Sequence, residues 1–208
     1  MEKPCRTQPK SVPFAGYAQR TARGTPWSER EAWPCCWVAC PGLGDRPSVA
    51  AFRCVFTVGK QRTARMHVSG DERYEIFLDG ERFGRGPERG DRYHWAYETY
   101  DVPLQPGEHR LVGRVWALAD LKPWAQISVA PGFLLAPHDE DLWDTLGTGR
   151  AAWQCKLLPG YDFTSSHEQT GHSMGCGPGV TIDSARVPWD AVAGRGRGWR
   201  PAKAGHAG

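Results

Sequence analysis

The chain has 208 residues, of which 40% are apolar and 24% charged, a composition that excludes wholesale disorder. About a fifth of the residues are glycine or proline, which disfavours long helices. The net charge of +3 comes from basic ends around a mildly acidic middle, and no apolar run reaches the roughly 20 residues of a membrane span. These patterns, with no apolar signal segment near the start, predict no nucleic-acid partner, no membrane partner and a cytoplasmic location.

The first clear element follows a segment that is poor in aliphatic side chains. Residues 1–30 are rich in proline, glycine and arginine, which predicts a flexible lead-in. Residues 51–58 then alternate, with Phe52, Cys54 and Phe56 on one face, as in a half-buried strand. Residues 65–69 are a second candidate strand.

The strongest local signal is the segment YEIFLDGERFG at residues 74–84. Two apolar runs flank Asp79-Gly80, a dipeptide that accepts the positive φ angles of a type I′ turn. The segment therefore predicts a β-hairpin. A loop at 84–95 and a short strand at 97–103 follow.

Further strands are predicted at residues 109–118 and 125–137, and a short helical segment at 139–144. Short strands separated by turn residues are typical of an antiparallel sandwich. We therefore expect an all-β domain at 31–150. Glycine becomes more frequent later, which predicts an irregular extension at 151–208, leading towards a domain absent from this chain.

Cysteine usage leaves two interpretations open. The chain has seven cysteines, an odd number that favours free thiols when no secretion signal is visible. Cys35, Cys36 and Cys40 are close in sequence and suggest a metal site. They lack the paired C-x2-C spacing of structural zinc sites, so buried thiols are the favoured interpretation.

Two other clusters carry possible metal ligands. Calcium prefers several carboxylate oxygens, but neighbouring acids are more often a solvated turn. The acids concerned are Asp139, Glu140, Asp141 and Asp144. His167, His172 and Cys176 form an H-x4-H-x3-C pattern that could bind zinc, although three nearby glycines make an incidental loop the favoured interpretation. We predict no metal and no cofactor.

The segments GDERYEIFLDGERFGRGP and HWAYETYDVPLQPGEHRLVGRVW, followed by AAWQC and TIDSARVPWD, resemble the N-terminal β-sandwich region of bacterial α-L-rhamnosidases and related glycoside hydrolases. The resemblance is strongest at residues 71–116. It implies a sandwich of the jelly-roll, galactose-binding-like type.

The same resemblance implies a function. It indicates a non-catalytic accessory domain that supports a catalytic barrel or contacts carbohydrate, with rhamnose-containing glycans or the barrel as partner. In this family the catalytic carboxylates belong to an α/α barrel, so they correspond to no residue of this chain. The alternative is a stand-alone carbohydrate-binding or interaction module.

Five residues are the predicted sugar contacts because they combine aromatic faces with hydrogen-bond donors. They are Arg85, Tyr93, His94, Trp95 and Tyr97. The alternative is that Trp95 and Tyr97 pack the edge of the sandwich and that the arginines are solvated.

Overall fold

The computed structural model describes residues 5–6, 10–13, 33–90, 94–165 and 177–207. Within these residues the chain is mostly strand. The strands are β1 (Cys5–Arg6), β2 (Lys10–Pro13), β3 (Cys36–Ala39), β4 (Ser48–Val58), β5 (Arg62–Gly70), β6 (Arg73–Leu78), β7 (Glu81–Gly86), β8 (His94–Leu104), β9 (Gly107–Ala117), β10 (Phe133–Pro137), β11 (Gln154–Leu158), β12 (Tyr161–Thr164), β13 (Gly179–Ile182), β14 (Arg200–Pro201) and β15 (Lys203–Ala207).

Helical structure in the described residues is short. It consists of the helix α1 (Trp143–Leu146) and the 3-10 turns Ala119–Leu121, Glu140–Leu142 and Trp189–Ala193. No helix among these residues is long and apolar enough to span a membrane.

The strands form two antiparallel sheets that pack face to face. The first sheet has the order β1-β8-β5-β10-β3-β15, with β2 also paired to β8, and the second has the order β14-β11-β4-β9-β6-β7. Strands β12 and β13 form a separate pair. The prediction of an all-β antiparallel sandwich is confirmed.

The core between the sheets follows from strand alternation. Successive side chains on a strand point to opposite faces, so Phe52, Cys54 and Phe56 of β4 all point inward and are buried. Phe52 stacks on Phe133 of the first sheet with ring centroids 5.8 Å apart. This aromatic contact joins the two sheets near the middle of the core.

The predicted hairpin at residues 74–84 is present as β6 and β7. Asp79 and Gly80 connect the strands with φ angles of 53° and 94°. Both residues adopt left-handed backbone conformations, as a type I′ turn requires.

The predicted strand at 125–137 is shorter than expected, because only Phe133–Pro137 forms β10. The residues before it are held by Asp71, which is buried. Its carboxylate accepts hydrogen bonds from the Ser128 hydroxyl and from the backbone N–H of Val129, at 2.9 Å, and of Ala130, at 3.3 Å. A side-chain acceptor thus replaces the sheet ladder along this loop.

The sheets extend across the predicted boundary at residue 150. Strand β11 pairs with β4 in the second sheet, and β15 pairs with β3 in the first. Residues 159–165 and 177–199 cover the outer face of the second sheet, where Phe77, Val112 and Leu158 are buried. Those outward apolar side chains explain why the segment packs there rather than leaving the domain.

The predicted flexible lead-in lies mostly outside the described residues. Its two described pieces, β1 and β2, pair with β8 at the edge of the first sheet.

Candidate functional site

A cavity of about 490 Å³ lies where β6, β7 and β9 of the second sheet meet β8 of the first. Its lining combines one half-buried indole, several arginines and carboxylates, and one amide. The lining residues are Arg73, Tyr74, Glu75, Arg85, Gly86, Pro87, Glu88, Arg89, Glu98, Trp116, Leu118, Gln126, Pro178 and Val180.

The floor of the cavity is formed by buried side chains from both sheets. Tyr74 donates its hydroxyl to the backbone oxygen of Val68 at 3.2 Å, and Glu98 is completely buried. A Cβ atom added to Gly86 would lie 2.7 Å from the Glu98 Cγ atom. Glycine at this position therefore allows β7 to approach β8 closely enough to close the floor.

The wall is formed by Trp116, the next-to-last residue of β9, and by Gln126. The Arg114 guanidinium lies 5.0 Å from the centroid of the Trp116 ring and supports it from the side of the sheet. The Gln126 amide donates to the backbone oxygens of Glu72 and Ile127, both at 3.4 Å. These contacts fix an aromatic surface and a polar amide on one side of the cavity.

Behind the wall, a buried carboxylate holds the turn that follows β9. Both carboxylate oxygens of Glu72 accept the backbone N–H of Leu118, at 2.9 and 3.0 Å. Burial raises the pKa of the Glu72 carboxyl to about 7, against the opposing effect of these hydrogen bonds. Glu72 therefore titrates near neutral pH while it positions Leu118 in the cavity lining.

The rim carries three exposed arginines. Arg73 begins β6, Arg85 lies on β7 and Arg89 follows in the next loop. Their guanidinium groups form no ion pair or hydrogen bond with any side chain or backbone group of the described residues. Their hydrogen-bond donors therefore face solvent around the cavity.

Glu75 has the opposite environment on the same rim. Its carboxylate accepts hydrogen bonds from Arg82 and from Arg114, including one of 3.0 Å from Arg114 Nε. Burial alone would raise the pKa of the Glu75 carboxyl, but these two arginines lower it below its usual range. Glu75 is therefore ionised and already neutralised by protein groups.

The predicted sugar contacts Arg85 and Tyr97 lie in different parts of the structure. Arg85 lines the cavity, and Arg89 joins it there. Tyr97 is 3% exposed and lies on the opposite face of β8, with ring centroids 5.3 Å from Trp33 and 5.4 Å from His67. The structure therefore separates Tyr97 from Arg85.

The remaining predicted contacts lie outside what the structure describes. Tyr93 is not among the described residues, and for His94 and Trp95 the structure describes the backbone in β8 but not the side chains. Their assignment as sugar contacts stays a prediction.

Sequence reasoning missed Trp116, Gln126 and Arg73 as members of the site. Trp116 was visible as an aromatic residue near the end of a predicted strand. Its role depends on the strand register, which places it opposite Arg73. That pairing joins two distant segments and has no local signature.

The acidic cluster at residues 139–144 is a surface turn whose aspartates form ion pairs with arginines. Arg62 pairs with Asp139 at 2.9 Å and with Asp141 at 2.6 Å, and Arg150 pairs with Asp144 at 2.8 Å. Within the part of the chain that the structure describes, no group of three or more His, Cys, Asp or Glu side chains could hold a metal ion. His167, His172 and Cys176 lie outside that part.

Cys35 and Cys40, which are close in sequence, lie in different apolar clusters of the structure. Cys35 packs beside Trp33 on the outer face of the first sheet, whereas Cys40 lies in the core between the sheets. Burial raises the pKa of Cys35 to about 12. The contact with the Cys155 thiol lowers the pKa of Cys40 below its usual value, against the effect of burial and with a smaller contribution from Arg200. The free thiols are Cys35, Cys36, Cys40, Cys54 and Cys155.

Comparisons with known proteins give a fold and no family. No family model matches the chain, and no curated protein matches it. Among solved structures, the chain is similar to a GH78 family rhamnosidase of Bacillus sp. GL1, with a TM-score of 0.64 and 19% identity. That match covers 83% of this chain and 18% of the rhamnosidase chain.

Two weaker matches are to the lectin of Pleurotus ostreatus. The structure in complex with GalNAc gives a TM-score of 0.40 and 15% identity, covering 99% of this chain and 47% of the lectin chain. The apo form gives 0.37 and 16%, covering 90% and 48%. Of these comparisons, the rhamnosidase match shows that most of this chain shares a sandwich fold with less than a fifth of a much longer enzyme.

Proposed function

We propose that this chain is a carbohydrate-binding β-sandwich module and that the cavity beside Trp116 is its sugar site. The observation that carries the proposal is the composition of that cavity, which places an indole, an amide and guanidinium groups around one space. Sugars present apolar C–H faces that pack on aromatic rings and hydroxyls that pair with planar polar groups. Trp116 supplies the ring, while Gln126 and Arg85 supply the polar groups.

The size of the cavity fits a sugar ligand. Its volume of about 490 Å³ lies within the range of small-molecule sites, which is roughly 300–1,000 Å³. Its floor is part of the packed core, because Tyr74 and Glu98 are 1% and 0% exposed. Binding therefore requires little ordering of the protein.

A second aromatic ring lies close to the site along the chain. Trp124 is 80% exposed and stands two residues before Gln126 in the loop that leads to β10. An exposed indole gains apolar contact when a flat ligand stacks on it. We assign Trp124 as an accessory stacking surface for a glycan that extends beyond the cavity.

The finer proposal concerns the protein context. The fold similarity to 18% of a rhamnosidase chain supports an accessory domain of a rhamnosidase-type glycoside hydrolase that contacts rhamnose-containing glycans. We assign no catalytic residue to this chain. The chain alone is expected to release no sugar from aryl rhamnosides, and turnover by the purified protein would contradict this assignment.

Calorimetric titration with rhamnose-containing oligosaccharides tests the proposal. Trp116→Ala is expected to weaken binding about tenfold or more, because loss of a buried aromatic contact removes roughly 1–3 kcal/mol. Trp124→Ala is expected to weaken binding of longer oligosaccharides without altering the fold. Trp189→Ala is the matched control, because that indole is also exposed but does not line the cavity.

The same titration shows whether the sugar binds at the contacts predicted from the sequence or in the cavity. Binding that is lost in Trp95→Ala but kept in Trp116→Ala would move the site to the segment 93–97. If neither Trp116→Ala nor Trp124→Ala changes the affinity measured for the parent chain, the cavity is not the sugar site. Thermal unfolding of each variant checks that the fold is intact.

A second candidate function is a packing module that supports a neighbouring protein domain. Besides Trp124, the same loop exposes Ile127 and Val129, which gives a small apolar surface. This role predicts no glycan binding at all. Failure of every oligosaccharide to bind would favour it over the sugar site.

A further inference from the structure

We propose that the ligand of the cavity is an anionic glycan unit, recognised through a carboxylate or sulfate group by Arg73, Arg85 and Arg89. This inference rests on the proposed function, because it names the class of sugar that the same cavity takes. It comes from the distribution of ion pairs over the surface of the described residues.

Six arginines of the described residues have acidic partners. Each of the following six arginines forms an ion pair with an aspartate or glutamate: Arg62, Arg65, Arg82, Arg110, Arg114 and Arg150. The three rim arginines form none within the described segments, although they border one cavity. Three guanidinium groups without a protein partner among the described residues therefore border this one cavity, whereas other arginines without an ion pair there, such as Arg186, lie outside it.

The carboxylates of the cavity do not neutralise these arginines. Glu75 is occupied by Arg82 and Arg114 on the outer side of the sheet. Glu98 is completely buried on the floor, and Glu88 is exposed on the rim. The solvent-facing part of the rim therefore carries three positive groups against the single free carboxylate of Glu88.

The geometry of the guanidinium group favours oxyanion ligands. Arginine presents paired N–H donors that match the two oxygens of a carboxylate or sulfate. Like charges around a concave surface raise the local concentration of anions and repel one another when no anion is bound. An anionic sugar relieves that repulsion, whereas a neutral sugar leaves it in place.

Trp116 and the arginines have complementary roles in this arrangement. The indole packs against the ring of the sugar, which is common to neutral and acidic sugars. Arg73 lies opposite Trp116 in the β6–β9 register, so the positive group and the aromatic surface belong to neighbouring strands. A sugar ring on Trp116 can therefore direct an acidic substituent towards the rim.

The test compares matched ligands that differ in charge. Calorimetry with oligogalacturonate is compared with its carboxyl-reduced form of the same length, and dextran sulfate with unmodified dextran. We expect an anionic member to bind at least about tenfold more tightly than its neutral counterpart, as one charged hydrogen bond implies. That advantage is expected to fall as sodium chloride is raised, because exposed charges are screened. The carboxylate and sulfate arms show which oxyanion is recognised.

Variants locate the effect. Arg73→Gln and Arg85→Gln are each expected to weaken binding of the anionic ligand about fivefold to tenfold more than binding of the neutral ligand. Arg186→Gln is the matched control, because this arginine is exposed and does not line the cavity. Thermal unfolding confirms that the glutamine variants remain folded.

The outcomes separate the two proposals. Equal binding of charged and neutral ligands would overturn the anionic assignment and leave the sugar site standing. A charge preference that Arg73→Gln and Arg85→Gln do not alter would overturn the assignment to this rim. Binding of no glycan of either kind, including the rhamnose-containing ones, would remove the proposed function itself.

Discussion

On its inner face the second sheet presents Phe52, Ile76 and Val115 to the first sheet, all of them completely buried. On its outer face the same strands present Arg53 and Arg114 to the C-terminal segment. There Arg53 lies 4.5 Å from the Trp199 ring centroid, and Arg114 donates to Glu75. One sheet thus has an apolar inner face and a mixed outer face, on which cations, rings and a carboxylate surround the apolar cluster of Phe77, Val112 and Leu158.

The difference shows what each face contributes. The inner face supplies the driving force for folding, because burial of apolar area dominates stability. The outer face positions a third layer, residues 159–165 and 177–199, which packs on the apolar cluster and also makes directional contacts with the sheet. Arg114 connects that layer to the cavity, since it supports Trp116 and also donates to the Tyr161 hydroxyl at 3.3 Å. The candidate site therefore takes its aromatic wall from the outer face, while Tyr74 and Glu98 form its floor between the two sheets.

The largest expected effect lies on the inner face. Phe52→Ala removes a fully buried ring that stacks on Phe133, so the free energy of unfolding should fall by about 3–5 kcal/mol. Urea denaturation measures this change. Val55→Ala on the same strand is the control, because Val55 is 42% exposed and should change stability by less than about 1 kcal/mol. Equal losses for the two variants would contradict the contrast between the faces.

The pH dependence of the free energy of unfolding tests the role of Glu72, which lies between the core and the cavity. Burial raises the pKa of Glu72 from 4.5 to about 7, so the folded state binds its proton more tightly than the unfolded state. Stability from this group is fully present below pH 4.5 and is lost as the pH rises through 7. The loss is about 3 kcal/mol at most, from the free energy that corresponds to this change in pKa.

Glu72→Gln is the variant that isolates this contribution. It should remove the part of the pH dependence between pH 4.5 and 7 that comes from this group. The measurement is the difference in unfolding free energy between the parent and the variant at each pH, which cancels the titration of other groups. A difference that does not vary with pH over this interval would show that folding does not raise the pKa of Glu72.

The inner face could be predicted from the sequence because its signal is local. Alternation at 51–58 and the Asp79-Gly80 dipeptide each identify a strand or a turn from a few adjacent residues. Both predictions are confirmed by β4 and by the β6–β7 hairpin. Physical rules that act within one strand therefore recover most of the sandwich.

The outer face and the site could not be predicted in the same way. Glycine content after residue 150 suggested irregular structure, yet β11 pairs with β4 across about 100 residues of chain. Long-range pairing of this kind depends on register rather than on composition. Arg85 lines the cavity, but its neighbours there, Trp116 and Gln126, come from separate segments.

A substitution of Gly160 tests whether the third layer depends on the turn between β11 and β12. Gly160 connects β11 to β12 with a φ angle of 85°, and an added Cβ would lie 2.9 Å from both the Asp183 oxygen and the Val187 nitrogen. Gly160→Ala should therefore reduce the free energy of unfolding by about 1–3 kcal/mol. Gly59→Ala is the control, because no atom lies within 4 Å of its added Cβ.

The residues at which Gly160→Ala increases local unfolding are as informative as the total loss of stability. Amide hydrogen exchange should increase at residues 161–164 in Gly160→Ala and remain unchanged in β5 and β8 of the first sheet. Uniform acceleration over both sheets would mean that the third layer and the sandwich unfold as one unit. In that case the two faces of the second sheet would not be energetically separable.

The smallest expected effect concerns the cation contacts of the outer face. Lys156 on β11 lies 4.6 Å from the Trp199 ring centroid and donates to the backbone oxygens of Arg195 and Arg197, at 3.5 and 3.4 Å. Burial lowers its pKa, yet these acceptors and the ring still favour the ammonium form. Lys156→Met keeps the apolar stem and removes the charge, so it should cost about 0.5–1 kcal/mol. Lys60→Met at an exposed turn is the control, and a double-mutant cycle with Trp199→Leu measures the coupling. Zero coupling would mean that the outer layer, like the core, is held by apolar burial alone.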